Sequence, residues 1–155
     1  MGFFDDVDEK TTKQNVKKVL SRYRLLVKVI GTQFSSKVTA TYSFEPRSET
    51  NVVSNAIEKH IVRVETAVKE LEYMEQAINS IYDPYLRRIL VLKYCDKRNL
   101  SDVYIYTDLG YEEREFYRLM DKALYSFAEC YKHGSLITFY GGAGIDDILS
   151  DLETQ

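Results

Sequence analysis

Apolar residues recur at helical spacing along most of the chain. Val16, Val19, Leu20, Tyr23, Leu26, Val27 and Ile30 follow in steps of three and four, one stripe of a first helix that Asp8 or Thr11 can cap. The stretch 31–50 is polar and carries Gly31 and Pro46, so it reads as a connector, with Thr39, Thr41, Tyr42 and Phe44 offering a short extended piece at most. Residues 51–82 carry the longest pattern. Ile57, Val64, Leu71 and Ile78 lie seven apart, His60, Ala67, Met74 and Ile81 interleave, and Val53, Ile61 and Val68 widen the seam. This seam packs either on the first helix of its own chain or on a second copy in a homodimer, and His60 reads as a core or rim residue.

Asp83-Pro84 ends the long helix and starts the next, because proline breaks a hydrogen-bond ladder from within but fits a first turn behind an Asp cap. Leu86, Ile89, Leu90 and Tyr94 give the following helix its core face. Ser101 caps a short helix with Val103, Ile105, Tyr106 and Leu109 on its apolar side, and Gly110 closes it. The chain then restarts as a longer helix over 112–131, with Phe116, Leu119, Met120, Ala123, Leu124, Phe127 and Ala128 as its buried stripe. Gly134 and the Gly141-Gly142-Ala143-Gly144 cluster mark the end of the folded part. The prediction is an all-α protein: an N-terminal helix plus a long central helix in 1–83, a tri-helical lobe in 84–133, and an acidic tail in 134–155 that is flexible or a short interaction helix.

Composition changes this picture little. The chain has 155 residues, 45% hydrophobic and 29% charged, an ordinary globular balance. Net charge is −3, so a nucleic-acid surface has to come from local clustering. Residues 84–133 hold nine Lys/Arg against eight Asp/Glu, and 134–155 hold four acids and no base. No acid stands between Lys10 and Glu45, which makes Lys17, Lys18, Arg22, Arg24 and Lys28 either a solvated face or a phosphate-contacting one. The start, Met-Gly-Phe-Phe-Asp-Asp, lacks a basic region and a long apolar run, so neither a signal peptide nor a membrane span is expected, and the cytoplasm of a bacterial host is the expected location.

Enzyme chemistry finds no support. The Gly141-Gly142-Ala143-Gly144 run lacks the Lys-Ser/Thr of a phosphate loop, and Asp146 and Asp147 fall in the tail. Cys95 and Cys130 have no metal spacing, and His60 and His133 stand apart, so neither metal, cofactor nor small-molecule substrate is expected.

A short helix, a Gly-containing turn and a longer helix outline a helix-turn-helix, whose second helix enters the major groove of double-stranded DNA while the first braces on the backbone. An ordinary helical hairpin has the same pattern. Burying Phe116, Leu119, Ala123 and Leu124 turns Arg114, Glu115, Tyr117, Arg118, Asp121 and Lys122 outward. Arg114 and Arg118 are the first candidates for base reading, since Arg pairs bidentately with guanine. Tyr117 and Lys122 suit phosphate or sugar. Ser101 and Tyr104 suit phosphate at a helix N-terminus, and Arg87, Arg88, Lys97 and Arg98 are candidate backbone contacts.

The run Asp83-Pro84-Tyr85-Leu86-Arg87-Arg88-Ile89-Leu90-Val91-Leu92-Lys93-Tyr94 resembles the ArpU family of phage transcriptional regulators. So do Leu100-Ser101-Asp102 with Ile105-Tyr106, Leu109-Gly110-Tyr111, Phe116-Tyr117-Arg118, Lys122-Ala123-Leu124 and Phe127-Ala128. The likeness is strong over 83–131, extends more weakly to Asn15-Val16-Lys17-Lys18 and Tyr42-Ser43-Phe44, and the same lobe is similar to the promoter-reading C-terminal domain of sigma factors. The resemblance implies a regulator of late phage genes, for packaging and lysis, acting near RNA polymerase. One departure stands out: Glu112-Glu113-Arg114-Glu115 opens the longer helix where the family often has small polar residues. Acids suit a helix N-terminus but repel phosphate. They accept from a cytosine amine, restrain non-specific binding, or face protein. The rival reading from another class is a protein-interaction module that uses the long seam and the acidic tail without specific DNA binding.

Overall fold

A computed structural model describes residues 6–40, 51–142, 144, 145, 147, 149 and 150. The described residues are all-α: α1 Glu9–Leu20, α2 Tyr23–Ala40, α3 Asn51–Ser80, α4 Pro84–Leu90, α5 Asp102–Leu109 and α6 Glu113–Cys130. A π-helical turn, Val91–Cys95, extends α4, and a 3-10 turn, Tyr131–Gly134, follows α6. Strand-like pairing among the described residues is confined to isolated bridges.

The caps fall where the sequence puts them. Asp8 accepts from Thr11 N (3.1 Å) and Thr11 Oγ1 (2.7 Å), Asp83 accepts from Tyr85 N (2.9 Å) with Pro84 in the first turn, and Ser101 accepts from Tyr104 N (3.2 Å). Each satisfies an amide that the first helical turn leaves without a partner.

The expected single N-terminal helix is two. Ser21 and Arg22 switch to tighter bonding, with Ser21 Oγ donating to Lys18 O (2.9 Å) and Arg22 N to Val19 O (3.1 Å), and the chain restarts at Tyr23. The break carries neither Gly nor Pro. Gly31, expected to open a connector, lies inside α2. It sits exposed, and a Cβ at this position would meet nothing within 4 Å, so the cost of a helical glycine is its intrinsic one of about 1 kcal/mol. Thr41, Tyr42, Phe44 and Pro46 lie outside the described residues.

One apolar cluster joins the elements. It takes Val16, Val19 and Leu20 from α1, Met74, Ala77 and Ile78 from α3, Leu86, Ile89 and Leu90 from α4, and Phe116, Met120, Ala123, Leu124, Phe127 and Ala128 from α6. α6 is the hub, packed against α1, α3, α4 and α5. The long seam therefore folds back on its own chain over Ala67, Met74, Ile78 and Ile81, while Ile57, Ile61 and Val62 at its other end stay exposed.

The packed chain also continues past Gly134, where the glycine pattern ends it. Ile137 and Phe139 are buried in the same cluster. Asp8 N donates to Thr138 O and Tyr140 N to Asp6 O, both at 2.8 Å. Thr138 N donates to the fully buried Thr12 Oγ1 (3.1 Å), and Asn15 Nδ2 to Leu136 O (3.2 Å). Two turn residues before this segment, Lys132 (φ 43°) and His133 (φ 57°), adopt the left-handed region that side chains disfavour. Around them Tyr131 donates its hydroxyl to Glu70 and Lys132 Nζ lies 3.1 Å from the same carboxylate, ties that hold the turn to α3.

Candidate nucleic-acid interface

α5 and α6 meet through a turn that only a few residue types can make. Gly110 closes α5 at φ 75°, ψ 23°, its amide donating to Thr107 O (3.2 Å) while Tyr111 N donates to Tyr106 O (2.9 Å). This is a left-handed helix stop, and a side chain there would be strained. Glu112 is the cap residue of α6, and Glu113 and Glu115 stand in its first turn, where the helix dipole favours acids. α5 is thinly anchored: Ile105 is its one fully buried side chain. Tyr106 adds a ring contact with the buried Phe116 (centroids 5.6 Å apart), and Phe116 packs edge-on to Tyr117 (5.3 Å).

Opposite the buried stripe, α6 presents Arg114, Tyr117, Arg118 and Lys122, all exposed. At 3.6 residues per turn they share an arc of roughly 140°. One further tie fixes this face to α5, and a second fixes α5 to the π-helical turn. Tyr117 Oη donates to Asp102 Oδ2 (3.3 Å), and Lys93 Nζ lies 2.7 Å from Asp102 Oδ1. That second oxygen is buried and lacks a hydrogen bond of good geometry, so the Lys93 ammonium compensates it as a charge. Asp102 thus joins the π-helical turn, the start of α5 and the face of α6. Sequence reasoning missed it as a site residue. Its local signal, an acid directly after a Ser cap, announces a helix start and says nothing of a tyrosine fifteen positions on.

The ten sequence candidates fall into three sets. Arg98, Ser101 and Tyr104 gather at the entrance to α5, the Arg98 guanidinium 5.9 Å from the centre of the Tyr104 ring. Arg114, Tyr117 and Arg118 lie on the first half of α6. The remaining four are scattered. Lys122 lines a groove between α6 and α1 with Glu9, Lys13 and Tyr125. Lys97 lines a cleft against α2 with Tyr23, Arg24 and Lys28. Arg88 is exposed on α4. Arg87 turns inward, Nη1 donating to Ile81 O (2.9 Å), and steadies the end of α3.

Two arginines are held by acids of their own segment. Arg118 makes a two-pronged pair with Glu115 (3.1 and 2.6 Å), and Arg98 does the same with Asp96 (3.0 and 3.0 Å). The Arg98 bond holds the Asp96 carboxyl at about 2, well below the usual carboxylate range, and the Arg118 bond lowers Glu115. Both acids remain charged at neutral pH, so phosphate has to compete with them for the guanidinium. Arg114 has no such acid partner among the described residues.

A second residue missed as part of the site is Arg24 of α2. Its Nε donates to Asp96 O and its Nη2 to Lys93 O, both at 2.8 Å. The π-helical turn ends there, with Asp96 N bonded to Val91 O (2.9 Å), and its last carbonyls need outside donors. Arg24, read from sequence as a surface cation, is a brace beneath the segment that carries Lys97 and Arg98.

Among the described residues, no group of three potential metal ligands comes together and no helix is long and apolar enough to cross a membrane.

No protein-family model matches the chain, and no solved structure does. Among curated proteins it is similar to one of Streptococcus phage O1205 that carries the name autolysin regulatory protein ArpU, 33% identical over 132 residues, covering 85% of this chain and 95% of that protein. It is also similar to a protein of the same name from Enterococcus hirae, 27% identical over 145 residues, covering 90% of this chain and 99% of that protein. With a third of the residues shared along nearly the full length of both chains, this chain belongs to the ArpU family.

Proposed function

We propose that the chain is a sequence-specific, double-stranded-DNA-binding transcription regulator and that α5, the Gly110 turn and α6 are its helix-turn-helix. The observation that carries this reading is the left-handed Gly110 stop between a Ser-capped eight-residue helix and α6, whose exposed first half presents Arg114, Tyr117 and Arg118. In this reading that half enters the major groove, with Arg114 and Arg118 reading base edges. Tyr117 and Lys122 contact phosphate or sugar. Ser101, Tyr104, Lys97, Arg98 and Arg88 hold the backbone, and Arg87 supports the lobe from inside.

The relatives' name, which speaks of regulating autolysin, supports a regulatory role. The regulated genes would be late phage genes for lysis and packaging, activated near RNA polymerase in the host cytoplasm through a lobe that works as the promoter-reading domain of a sigma factor does. Nothing in this role is catalytic. The pairing of Arg118 and Arg98 with acids favours a second reading, an interaction module without specific DNA binding, and the same experiment separates the two. Fluorescence anisotropy compares duplex DNA from the region upstream of the gene with random duplex, for the wild type and Arg118→Ala. Specific binding tightens by roughly a thousandfold or more over random DNA, and Arg118→Ala loses about ten- to hundredfold on the upstream site and little on random DNA. Equal losses on both would remove Arg118 as a base reader. No binding to either duplex at low salt, with folded protein, would favour the interaction module.

A further inference from the structure

Tyr117 has one proton to give, and the fold already directs it. Its hydroxyl, on the exposed first half of α6, donates to Asp102 Oδ2 at 3.3 Å. Only this direction is open, because an ionised carboxylate accepts and does not donate. The other oxygen, Oδ1, is turned to the Lys93 ammonium at 2.7 Å. Tyr117 keeps its proton at neutral pH, since partial desolvation, and then the charge and hydrogen bond of Asp102, raise the hydroxyl above its ordinary value. The ring is held separately, edge-on to the buried Phe116. Tyr117 is still 44% exposed, so what it shows a partner is an oxygen with lone pairs and no free proton.

The DNA backbone offers such an oxygen nothing. Phosphate and deoxyribose oxygens are acceptors, and a phosphate that took the proton would sit beside the displaced carboxylate, like charge against like. Donors in the major groove stand only on bases, at the exocyclic amines of cytosine (N4) and adenine (N6). Given that α6 enters that groove, the reading on which this rests, we propose that Tyr117 is a base reader that accepts from the amine of an adenine or cytosine, and that Asp102 is the positioning residue that sets its polarity. Residue type alone assigns Tyr117 to phosphate or sugar, and the bond to Asp102 redirects it. Asp102→Asn separates polarity from shape. The side-chain oxygen stays toward the Lys93 ammonium, so the amide NH2 takes the place of Oδ2 and donates to Tyr117. The hydroxyl proton then turns outward, where thymine O4 or guanine O6 accepts it.

The test is selection of binding sites from a random duplex library by the full chain, then anisotropy on the selected duplex and its single-base variants, with circular dichroism to verify folding. The wild type should prefer adenine or cytosine at one position of the site by roughly three- to tenfold over guanine or thymine, the worth of one neutral hydrogen bond. Removing only the exocyclic amine of that base should cost the wild type the same factor and Tyr117→Phe nothing. Tyr117→Phe, which keeps the ring, should lose the preference. Asp102→Asn should reverse it toward thymine or guanine, a change that loosened packing does not produce. The amine deletion and Tyr117→Phe decide the contact even without a folded Asp102→Asn. Equal losses by Tyr117→Phe on every duplex, random ones included, would put the hydroxyl on the backbone and overturn the proposal while leaving α6 a reader of DNA. A folded Asp102→Asn with the wild-type preference would overturn the role of Asp102. Failure of folded wild-type protein to select any sequence would overturn the reading of α6 itself, and this inference with it.

Discussion

Arg24 offers the sharpest check on how the candidate interface is held. Its guanidinium supplies two donors at 2.8 Å to Asp96 O and Lys93 O, carbonyls at the end of the π-helical turn. Apart from Arg24, Asp96 O receives only the long 3.5 Å contact from Asn99 N among the described residues. A hydrogen bond from a charged group contributes about 1.5–3 kcal/mol net. The two bonds share one side chain and part of the site is open to water, so their contributions do not add in full. Arg24→Met keeps the apolar stem and removes both donors, for an expected loss of about 2–3 kcal/mol. For a chain of this size that lowers the melting temperature by roughly 4–12 °C. Arg24→Lys reaches one carbonyl and should fall about midway. Both variants loosen the segment carrying Lys97 and Arg98, so binding to random DNA should weaken along with stability. Thermal unfolding at neutral pH followed by circular dichroism, with anisotropy on random duplex, reads both. A Met variant melting within about 1 °C of wild type, or a Lys variant equal to wild type, would refute the brace.

The other predictions concern charge. Glu115→Gln frees Arg118 from its 2.6 Å partner, so random DNA should bind more tightly at low salt and the slope of log affinity against log salt should steepen by about 0.9, one more phosphate. An unchanged slope would mean that Arg118 has no reach to the backbone. Lys97→Ala should weaken binding to all duplexes alike and flatten the slope by about the same amount, and a slope equal to wild type would take Lys97 off the contact surface. Glu70 is ionised more readily in the fold than its ordinary 4.5, because the hydrogen bonds from Tyr131 and Lys132 outweigh the effect of burial. Its depressed value means the stabilisation is present above pH 4.5 and is lost as pH falls through the folded value. Glu70→Gln should therefore cost about 1 kcal/mol at pH 7, with the two unfolding curves converging in acid. A gap that stays constant down to pH 3 would contradict the assignment.

Much of the fold was legible because its signals are local. Asp83-Pro84, Ser101 and Gly110 act within one turn of themselves, and the 3.6-residue stripe of α6 repeats often enough to be unambiguous. The break at Ser21–Arg22 has no such signal, since neither residue is a helix breaker and the packing of α1 on α6 and of α2 on α3 decides it. Ile137 and Phe139 are two alternating apolar residues beside a glycine cluster, too short a pattern to show burial. Val7, which bridges to Phe139, and Thr12, which accepts from the intervening Thr138 N, lie at the other end of the chain. The same distance hid the roles of Asp102 and Arg24, whose contacts with Tyr117 and Asp96 span fifteen and seventy-two positions. Type and spacing located the exposed face of α6. The acids that occupy two of the arginines became visible only with side-chain geometry.

Footprinting the purified protein over the DNA flanking its own gene tests most directly whether α6 reads DNA. The expected result is a protected patch made of two half-sites, lost in Arg118→Ala while the protein stays folded. Uniform cleavage of that DNA at low salt, with folded wild-type protein in excess, would contradict it.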